Sequence, residues 1–336
     1  MEKAGTMANN SITATIDLGA EGRQIGDLQV KYSDNSVPLG HHPVPIISLK
    51  NGDGPVVMLI AGTHGDEFEG PSAIMRLVRD LALSQVTGQI ICVPALNAPA
   101  VQASSRVSPL DGGNLNRAFP GNPMGGFTDQ IADYVQTVLL PMADAAVDLH
   151  SGGKASVFAP CALATRTADP ALFARNMALA EAFGLPLIWV LSGFNDKRSL
   201  NGAAERAGVA MIATELGGGG GGDPQITDAA EDGLYRLMRH IGVLRGDLDP
   251  RKPPQQVEIT SGDHSLYAPG DGVFDRTLAA GECVTAGQLA GWMHYVSEPR
   301  RPSEKIAFPF DGFILAHTNR GYVKRGDLLF LVAQPV

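Results

Sequence analysis

The chain has 336 residues, of which 44% are hydrophobic and 18% charged, with 26 basic against 35 acidic residues and a net charge of −9. This is the composition of a globular protein with a substantial core, and the length favours a large domain with a smaller companion. The absence of a basic block argues against nucleic acid and anionic membranes as partners.

Cysteine usage and the N-terminus predict a soluble, cytoplasmic protein. The three cysteines, Cys92, Cys161 and Cys283, are far apart and odd in number, which is typical of a reduced protein. The N-terminus lacks the apolar core of a signal peptide, and no apolar run is long enough to span a bilayer. No internal repeat is apparent.

Alternating residues over 11–50 predict short antiparallel strands, and apolar runs separated by helical segments follow them. The runs lie at 55–62, 89–97, 145–153, 186–193 and 209–218. The helical segments lie at 69–85, 127–140, 170–183 and 225–243. This order predicts an α/β fold with a mixed, mostly parallel sheet flanked by helices. Ligands of such sheets bind beyond the carboxyl ends of the strands.

The same sequence patterns divide the chain into four segments. Residues 1–50 are expected to add strands to a catalytic domain at 51–245. The polar, proline-rich stretch "GDLDPRKPPQ" predicts a linker at 246–255. Short alternating stretches with glycine turns predict a small all-β domain over 256–336.

The first candidate site residues are His64 and Glu67 in "AGTHGDEFEG", directly after an apolar run. Imidazole and carboxylate are both good zinc ligands, and a tight turn at this spacing can direct both to one point. A solvated loop that caps the next helix is the competing interpretation. Asp66 and Glu69 have no required metal role, and acids suit the start of a helix.

A second histidine, His150, ends the apolar run "VDLH", and Asp148 shares its face of the strand. Asp148 is either a partner that orients a ring nitrogen or a structural residue. Two histidines and one carboxylate leave a fourth position open, which is the pattern of a catalytic zinc rather than a structural one. We therefore expect one zinc ion per chain.

The stretch "RVSPLDGGNLNRAFPG" places Arg106, Asn116 and Arg117 in a glycine-containing loop. Arginine carries a fixed charge and a planar fork suited to a carboxylate or a developing oxyanion. A surface ion pair is the competing interpretation for either arginine.

Glu215 ends another apolar run and precedes six glycines, 217–222. A carboxylate that faces a water-poor site has a raised pKa, which suits it to exchange protons with water and a leaving amine. An ion pair at the strand end is the alternative. The glycines predict a flexible or close-packed loop at the rim of the site.

Together these stretches resemble the succinylglutamate desuccinylase/aspartoacylase family of the zinc carboxypeptidase-like clan. The resemblance covers roughly residues 25–335 and rests on "GTHGDEFEGP", "SPLDGGNLNRAFPG", "DLHSGGK" and "TELGGGG". Within the family, the chain looks most like the branch of N-acetyl-diaminobutyrate deacetylases.

The resemblance implies a zinc-dependent hydrolase that cleaves the amide bond of a small N-acyl amino acid, with acetyl as the expected acyl group. The implied zinc ligands are His64, Glu67 and His150. Glu215 would act on the attacking water as general base and on the departing amine as general acid.

For substrate contacts, the resemblance implies that Arg106 polarises the acyl carbonyl and that Asn116 and Arg117 hold the substrate carboxylate. It also implies that 256–336 lies over the site. The candidates for a tyrosine from that segment are Tyr267, Tyr295 and Tyr322.

Two other functions compete with deacylation. One is a zinc carboxypeptidase acting on short peptides, and the other is a metal-binding protein without catalysis. The expected partner is a small-molecule substrate, and the sequence is also compatible with a homo-oligomer.

Overall fold

The structure is a computed structural model that describes residues 12–193, 195–259 and 264–336. Residues 1–11 of the predicted N-terminal segment lie outside the described residues. The six α-helices within the described ranges are α1 (Glu69–Asp80), α2 (Ala98–Ala103), α3 (Phe127–Tyr134), α4 (Pro170–Phe183), α5 (Leu200–Ala207) and α6 (Pro224–Ile241). None of the described helices is long and apolar enough to cross a membrane.

The strands of the first two thirds of the chain are β1 (Ile12–Ala14), β2 (Gly22–Tyr32), β3 (Gly40–Asn51), β4 (Val56–Ala61), β5 (Gly88–Val93), β6 (Ala145–His150), β7 (Ser156–Phe158), β8 (Cys161–Thr165), β9 (Leu187–Leu191) and β10 (Ala210–Glu215). The later strands are β11 (Gln255–Glu258), β12 (Ser265–Tyr267), β13 (Gly272–Arg276), β14 (Cys283–Val284), β15 (Leu289–His294), β16 (Glu304–Ala307), β17 (Gly312–Thr318), β18 (Tyr322–Val323) and β19 (Leu328–Pro335).

The centre of the large sheet is parallel, in the order β5-β4-β6-β10. The hairpin of β2 and β3 joins it antiparallel to β5, and β8 joins it antiparallel to β10. Strand β9 then runs parallel to β8. The predicted α/β class with a mixed sheet is confirmed.

Helices cover both faces of this sheet because successive side chains of its buried strands point to opposite sides. In β4, Val57 and Leu59 pack into a core with α1, α4 and α6. Their neighbours Met58 and Ile60 pack into a second core with α3 and α5. The apolar runs read from the sequence are therefore continuous because both faces are buried.

The structure adds four elements that the sequence did not predict: α2, β7, β8 and α5. Strand β8, "CALAT", is short and alanine-rich, and α5 is a short helix that begins at Leu200. Because β8 lies between β10 and β9, the parallel order of the sheet is interrupted there.

The C-terminal strands continue the large sheet and also build a sheet of their own. Strand β11 pairs parallel with β9 and antiparallel with β19. A separate four-stranded antiparallel sheet has the order β16-β15-β13-β18. A third core, which includes Phe274, Phe308 and Phe330, fills the space between these strands.

Two short strands of the C-terminal part pair away from their neighbours in the chain. Strand β14 pairs with β17, and β18 pairs with β13. Aspartates support the turns around them: the Oδ1 atom of Asp271 accepts from Arg325 N, and that of Asp311 accepts from Ala286 N. These crossed pairings connect the small sheet with the edge of the large one.

Candidate metal centre and active site

Three neighbouring strands deliver the predicted site residues to one edge of the large sheet. His64 and Glu67 lie in the turn after β4, and His150 and Glu215 are the last residues of β6 and β10. Glu215 is the direct register partner of His150 across the parallel pair. This edge is formed by the carboxyl ends of the parallel strands, where the sequence placed the site.

The three predicted metal ligands converge. One donor atom from each of His64, Glu67 and His150 lies within 4.8 Å of the other two, and all three residues are buried. His64 Nδ1 is 2.8 Å from Glu67 Oε1, and His150 Nδ1 is 2.9 Å from Glu67 Oε2. Both imidazoles therefore present the same ring nitrogen to one carboxylate.

The opposite nitrogen of each ring has an oxygen partner. His64 Nε2 is 3.2 Å from Asn114 Oδ1, and His150 Nε2 is 2.7 Å from Asp148 Oδ2. Asp148 Oδ2 has no other partner within the described part of the chain, and Asp148 Oδ1 accepts from the Thr63 hydroxyl at 2.9 Å. Protons on the two Nε2 atoms would satisfy these oxygens and leave both Nδ1 lone pairs directed at the centre.

The charges around the centre shift its pKa values in opposite directions. Burial by itself would raise the pKa of Glu67, but the imidazoles of His150 and His64 outweigh it and hold that pKa below its usual range. Burial lowers the pKa of His64. The pKa of His150 is raised because the carboxylates of Asp148 and Glu67 outweigh its burial. The result is an ionised carboxylate between two imidazoles.

Glu215 differs from Glu67 because its carboxyl group forms no ion pair within the part of the chain that the structure describes, although His150 and Arg106 lie near enough to lower its pKa somewhat. Burial, followed by the negative charge of Glu67, raises the pKa of Glu215 well above its ordinary value. Its buried Oε2 atom has no hydrogen-bond partner among the described residues. A raised pKa makes a carboxyl group a better proton acceptor, as a general base requires.

The predicted substrate-contacting residues border the same centre. Arg106 Nη1 is 3.4 Å from Glu67 Oε1, and the side chain is 48% exposed. Asn116 Oδ1 accepts from Leu200 N at 3.0 Å, so its amide is fixed by the start of α5. Arg117 Nε is 3.1 Å from Asp196 Oδ2, and this arginine side chain is 43% exposed. Both guanidinium groups are thus anchored by carboxylates and open to solvent.

Glycines allow the site loops to pack closely. A Cβ atom on Gly65 would lie 1.9 Å from the carbonyl carbon of Ala100, so the turn between His64 and Glu67 lies directly on the backbone of α2. The glycine run begins with four positive φ values, and a Cβ on Gly218 would lie 2.2 Å from Ser156 O. The first part of this run is therefore close-packed, one of the two predicted alternatives.

All seven predicted site residues line one cavity of about 300 Å³. The sequence missed an apolar wall made by Phe158, Leu163, Trp189, Leu191 and Ala213. Ser151 and Ser156 also line the cavity, as do four residues of the stretch 192–205, namely Asn195, Asp196, Ser199 and Asn201. Leu163 could have been recognised only through β8, since it lies beside Ala213 and Trp189 in adjacent strands.

The C-terminal segment does not contribute to the described lining of this cavity. It contacts the strand that carries Phe158 of the cavity wall. Strand β17 pairs with β7, and Leu315 O accepts from Ala159 N. Among the tyrosine candidates, Tyr295 is buried in the C-terminal core, while Tyr267 and Tyr322 are half exposed. None of the three lines the cavity within the described residues.

The donor set fits zinc. Two imidazole nitrogens and one carboxylate converge without a cysteine, and their oxygen partners orient both rings. The cavity beside them leaves room for a further ligand such as water or substrate.

Comparison with known proteins identifies the class to which this site belongs. The model of the succinylglutamate desuccinylase/aspartoacylase catalytic domain matches residues 53–241. Over the whole chain, 35% of residues are identical to the N-alpha-acetyl-L-2,4-diaminobutyric acid deacetylase of Halomonas elongata, 98% of which is covered.

Solved structures agree with this match. The product-bound ectoine utilization protein EutE from Ruegeria pomeroyi is 36% identical, with a TM-score of 0.93 over 97% of this chain and 100% of that one. A succinylglutamate desuccinylase from Silicibacter is also 36% identical, with a TM-score of 0.94 over 98% and 100% of the two chains. The chain belongs to the succinylglutamate desuccinylase/aspartoacylase family. It is an enzyme that hydrolyses linear amides, as the sequence predicted.

Proposed function

We propose that this enzyme is a zinc-dependent deacylase that cleaves a small N-acyl amino acid, with acetyl as the acyl group, to a carboxylate and a free amino acid. The observation that carries the proposal is the convergence of His64, Glu67 and His150 beside the unpaired carboxyl of Glu215. The deacetylase name of the Halomonas relative supports acetyl and an amino acid with a second amine.

In this proposal His64, Glu67 and His150 hold one zinc ion. When bound, zinc supplies Lewis acidity and makes water a usable nucleophile near neutral pH. Asp148 and Asn114 fix the ring orientations through the outer nitrogens.

Glu215 and Arg106 carry out the remaining chemistry. The Glu215 carboxylate takes a proton from the attacking water and later donates it to the nitrogen of the departing amine. One residue therefore both removes and returns this proton. In the proposal the Arg106 guanidinium, 3.4 Å from Glu67 Oε1, stabilises the negative charge that develops on the acyl oxygen. Its open side allows the carbonyl to approach.

Asn116 and Arg117 are assigned to the substrate carboxylate. Arginine binds carboxylates well, and in Arg117 Nε lies on Asp196 while Nη1 donates to Asn116 O at 2.6 Å, so the proposal assigns the outer Nη2 side of the fork to the substrate carboxylate. A cavity of about 300 Å³ is at the small end of ligand sites, which favours an amino acid derivative over a peptide.

The division into a catalytic part at 51–245, a linker at 246–255 and a β segment at 256–336 remains a proposal. The pairing of β17 with β7 supports a role of the β segment in shaping the wall of the cavity. We also propose that the enzyme acts in the cytoplasm.

A substrate panel tests the proposed function. We expect N-acetyl amino acids, including N-acetyl-diaminobutyrate, to be hydrolysed with a kcat/KM at least about tenfold above that of dipeptides, because the cavity is small. Free amine release is measured for both sets with the zinc-loaded enzyme. Faster turnover of dipeptides would identify a carboxypeptidase instead. If neither set of compounds were hydrolysed, the chain would be a metal-binding protein without this activity.

Replacing Arg117 by alanine should raise KM by about ten- to a hundredfold, since a charge-assisted hydrogen bond is lost. Asp196→Asn should raise it about three- to tenfold, because Arg117 loses its anchor. Steady-state kinetics with the free acid and with its methyl amide check the assignment. The effect of Arg117→Ala should vanish on the amide.

Asp228→Asn is the matched control, because Asp228 forms an exposed ion pair with Arg76 and lies outside the cavity lining. An equal rise in KM for the free acid and the amide would contradict the assignment of Arg117 to the carboxylate.

A further inference from the structure

Lys154 makes contacts with three separate segments next to the site. It follows the loop after His150, and its backbone N donates to Asp66 Oδ2 at 2.9 Å. Its backbone O accepts from Asn319 Nδ2 at 3.2 Å. Its Nζ donates to Ser104 O at 2.7 Å. Neither Lys154 nor Ser104 is among the described residues that line the cavity, so the ammonium acts beside the site and not in it.

Ser104 has an unusual backbone. Its φ of 48° makes it the one residue other than glycine with positive φ among the described residues. It ends α2 in the left-handed conformation, which a residue with a Cβ atom adopts only when the surroundings hold it. The Lys154 ammonium on its carbonyl is such a support, and a cation suits the carboxyl end of a helix.

Arg106 lies two residues beyond Ser104 and has few contacts of its own. Its side chain has one polar partner among the described residues, Glu67 Oε1 at 3.4 Å, and is 48% exposed. Backbone bonds hold the nitrogens of this segment, from Ser104 N to Val101 O and from Ser105 N to Ala100 O, both at 3.0 Å. Its carbonyls are held from outside, by Gly65 N on Ser105 O at 3.0 Å and by Lys154 Nζ on Ser104 O. The direction of the guanidinium therefore depends on how this short segment is held.

We propose that Lys154 is a positioning residue for Arg106. By holding the Ser104 carbonyl it fixes the turn from which Arg106 reaches the acyl oxygen, an action that rests on the proposed function. Through its backbone N, the same lysine links the loop after His150 to the turn of Asp66. The loops that carry the proposed zinc ligands and the segment that carries Arg106 are thereby held in fixed positions relative to one another.

Lys154→Met tests the proposal, because methionine keeps an unbranched apolar stem and removes the ammonium. We expect kcat to fall about ten- to a hundredfold with KM changed less than about twofold, since misplacement of a polarising group affects the chemical step. Lys154→Arg should recover most of the loss. Zinc content should be unchanged, and Lys305→Met, an exposed lysine in β16, is the control.

A double-mutant cycle with Arg106→Gln separates positioning from a general structural effect. If Lys154 acts through Arg106, Lys154→Met should change kcat less than about twofold once Arg106 is replaced. The same fold loss in both backgrounds, or full activity of the single variant, would overturn the proposal.

Hydrogen exchange supplies a readout that needs no activity. In Lys154→Met, but not in Lys154→Arg, the amides of residues 104–107 should exchange faster than in the natural protein. Unchanged exchange would refute the support of Ser104 even if the proposed substrates were not turned over. An inactive natural enzyme with the expected exchange pattern would instead count against the proposed function.

Discussion

Glu215→Gln should bind zinc as the natural enzyme does and lose about a hundred- to ten-thousandfold in kcat, the range that a general acid–base residue contributes. Glutamine keeps the shape of the side chain but can neither accept the proton of water nor deliver one to the amine. The buried Oε2 atom has no protein partner in the described part of the chain, so the change breaks no internal hydrogen bond of that oxygen. Zinc titration and steady-state kinetics on an N-acetyl amino acid measure both effects.

The control is Glu181→Gln, an exposed glutamate of α4 outside the cavity lining. It should match the natural enzyme in both measurements. Activity of Glu215→Gln within a few-fold of the natural enzyme would show that another group moves the proton.

Glu67→Gln should lower zinc affinity more than about a hundredfold, which exceeds the usual effect of changing a partner behind a metal ligand. The Glu67 carboxylate contacts both imidazoles, the backbone N of Ser151 and Arg106, and its low pKa keeps it charged. An amide at this position removes the only negative charge among the three converging donors. Calorimetric titration of the zinc-free protein measures the affinity, and the rise in Tm on adding zinc should disappear with it.

Glu69→Gln is the matched control for this loss. Glu69 is a fully buried acid two residues further on, at the start of α1, and burial raises its pKa. We expect it to keep the zinc affinity and the zinc-dependent rise in Tm. Equal losses in both variants would mean that the turn, rather than the Glu67 carboxylate, holds the metal.

Many residues of the site can be predicted from the sequence because they stand next to recognisable local patterns. His64, Glu67, His150 and Glu215 each lie at or just past the end of a buried apolar strand, and parallel strands bring their carboxyl ends to one edge. Arg106, Asn116 and Arg117 stood out as polar residues in a glycine-containing loop. The parallel arrangement of the strands then predicts that the residues at their carboxyl ends lie close together.

The apolar wall of the cavity and the contacts that support Arg106 could not be predicted from local sequence patterns. Leu163 and Trp189 line the cavity only because β8 enters the sheet antiparallel between β10 and β9, an order that local periodicity does not encode. The ion pair of Asp196 with Arg117 joins two loops that are far apart in sequence. The pairing of β14 with β17 and of β18 with β13 likewise depends on tertiary contacts.

The sequence by itself determined the α/β class, the family and the residues that converge on the candidate metal centre, because strand periodicity and ligand type are local properties of the chain. The tertiary structure alone decided which nitrogen of each histidine faces the centre and which buried carboxylate oxygens lack a hydrogen-bond partner among the described residues. It also brought Lys154 to the carbonyl of Ser104. Those features depend on contacts between segments far apart in sequence, and the order of strands in the sheet sets these contacts.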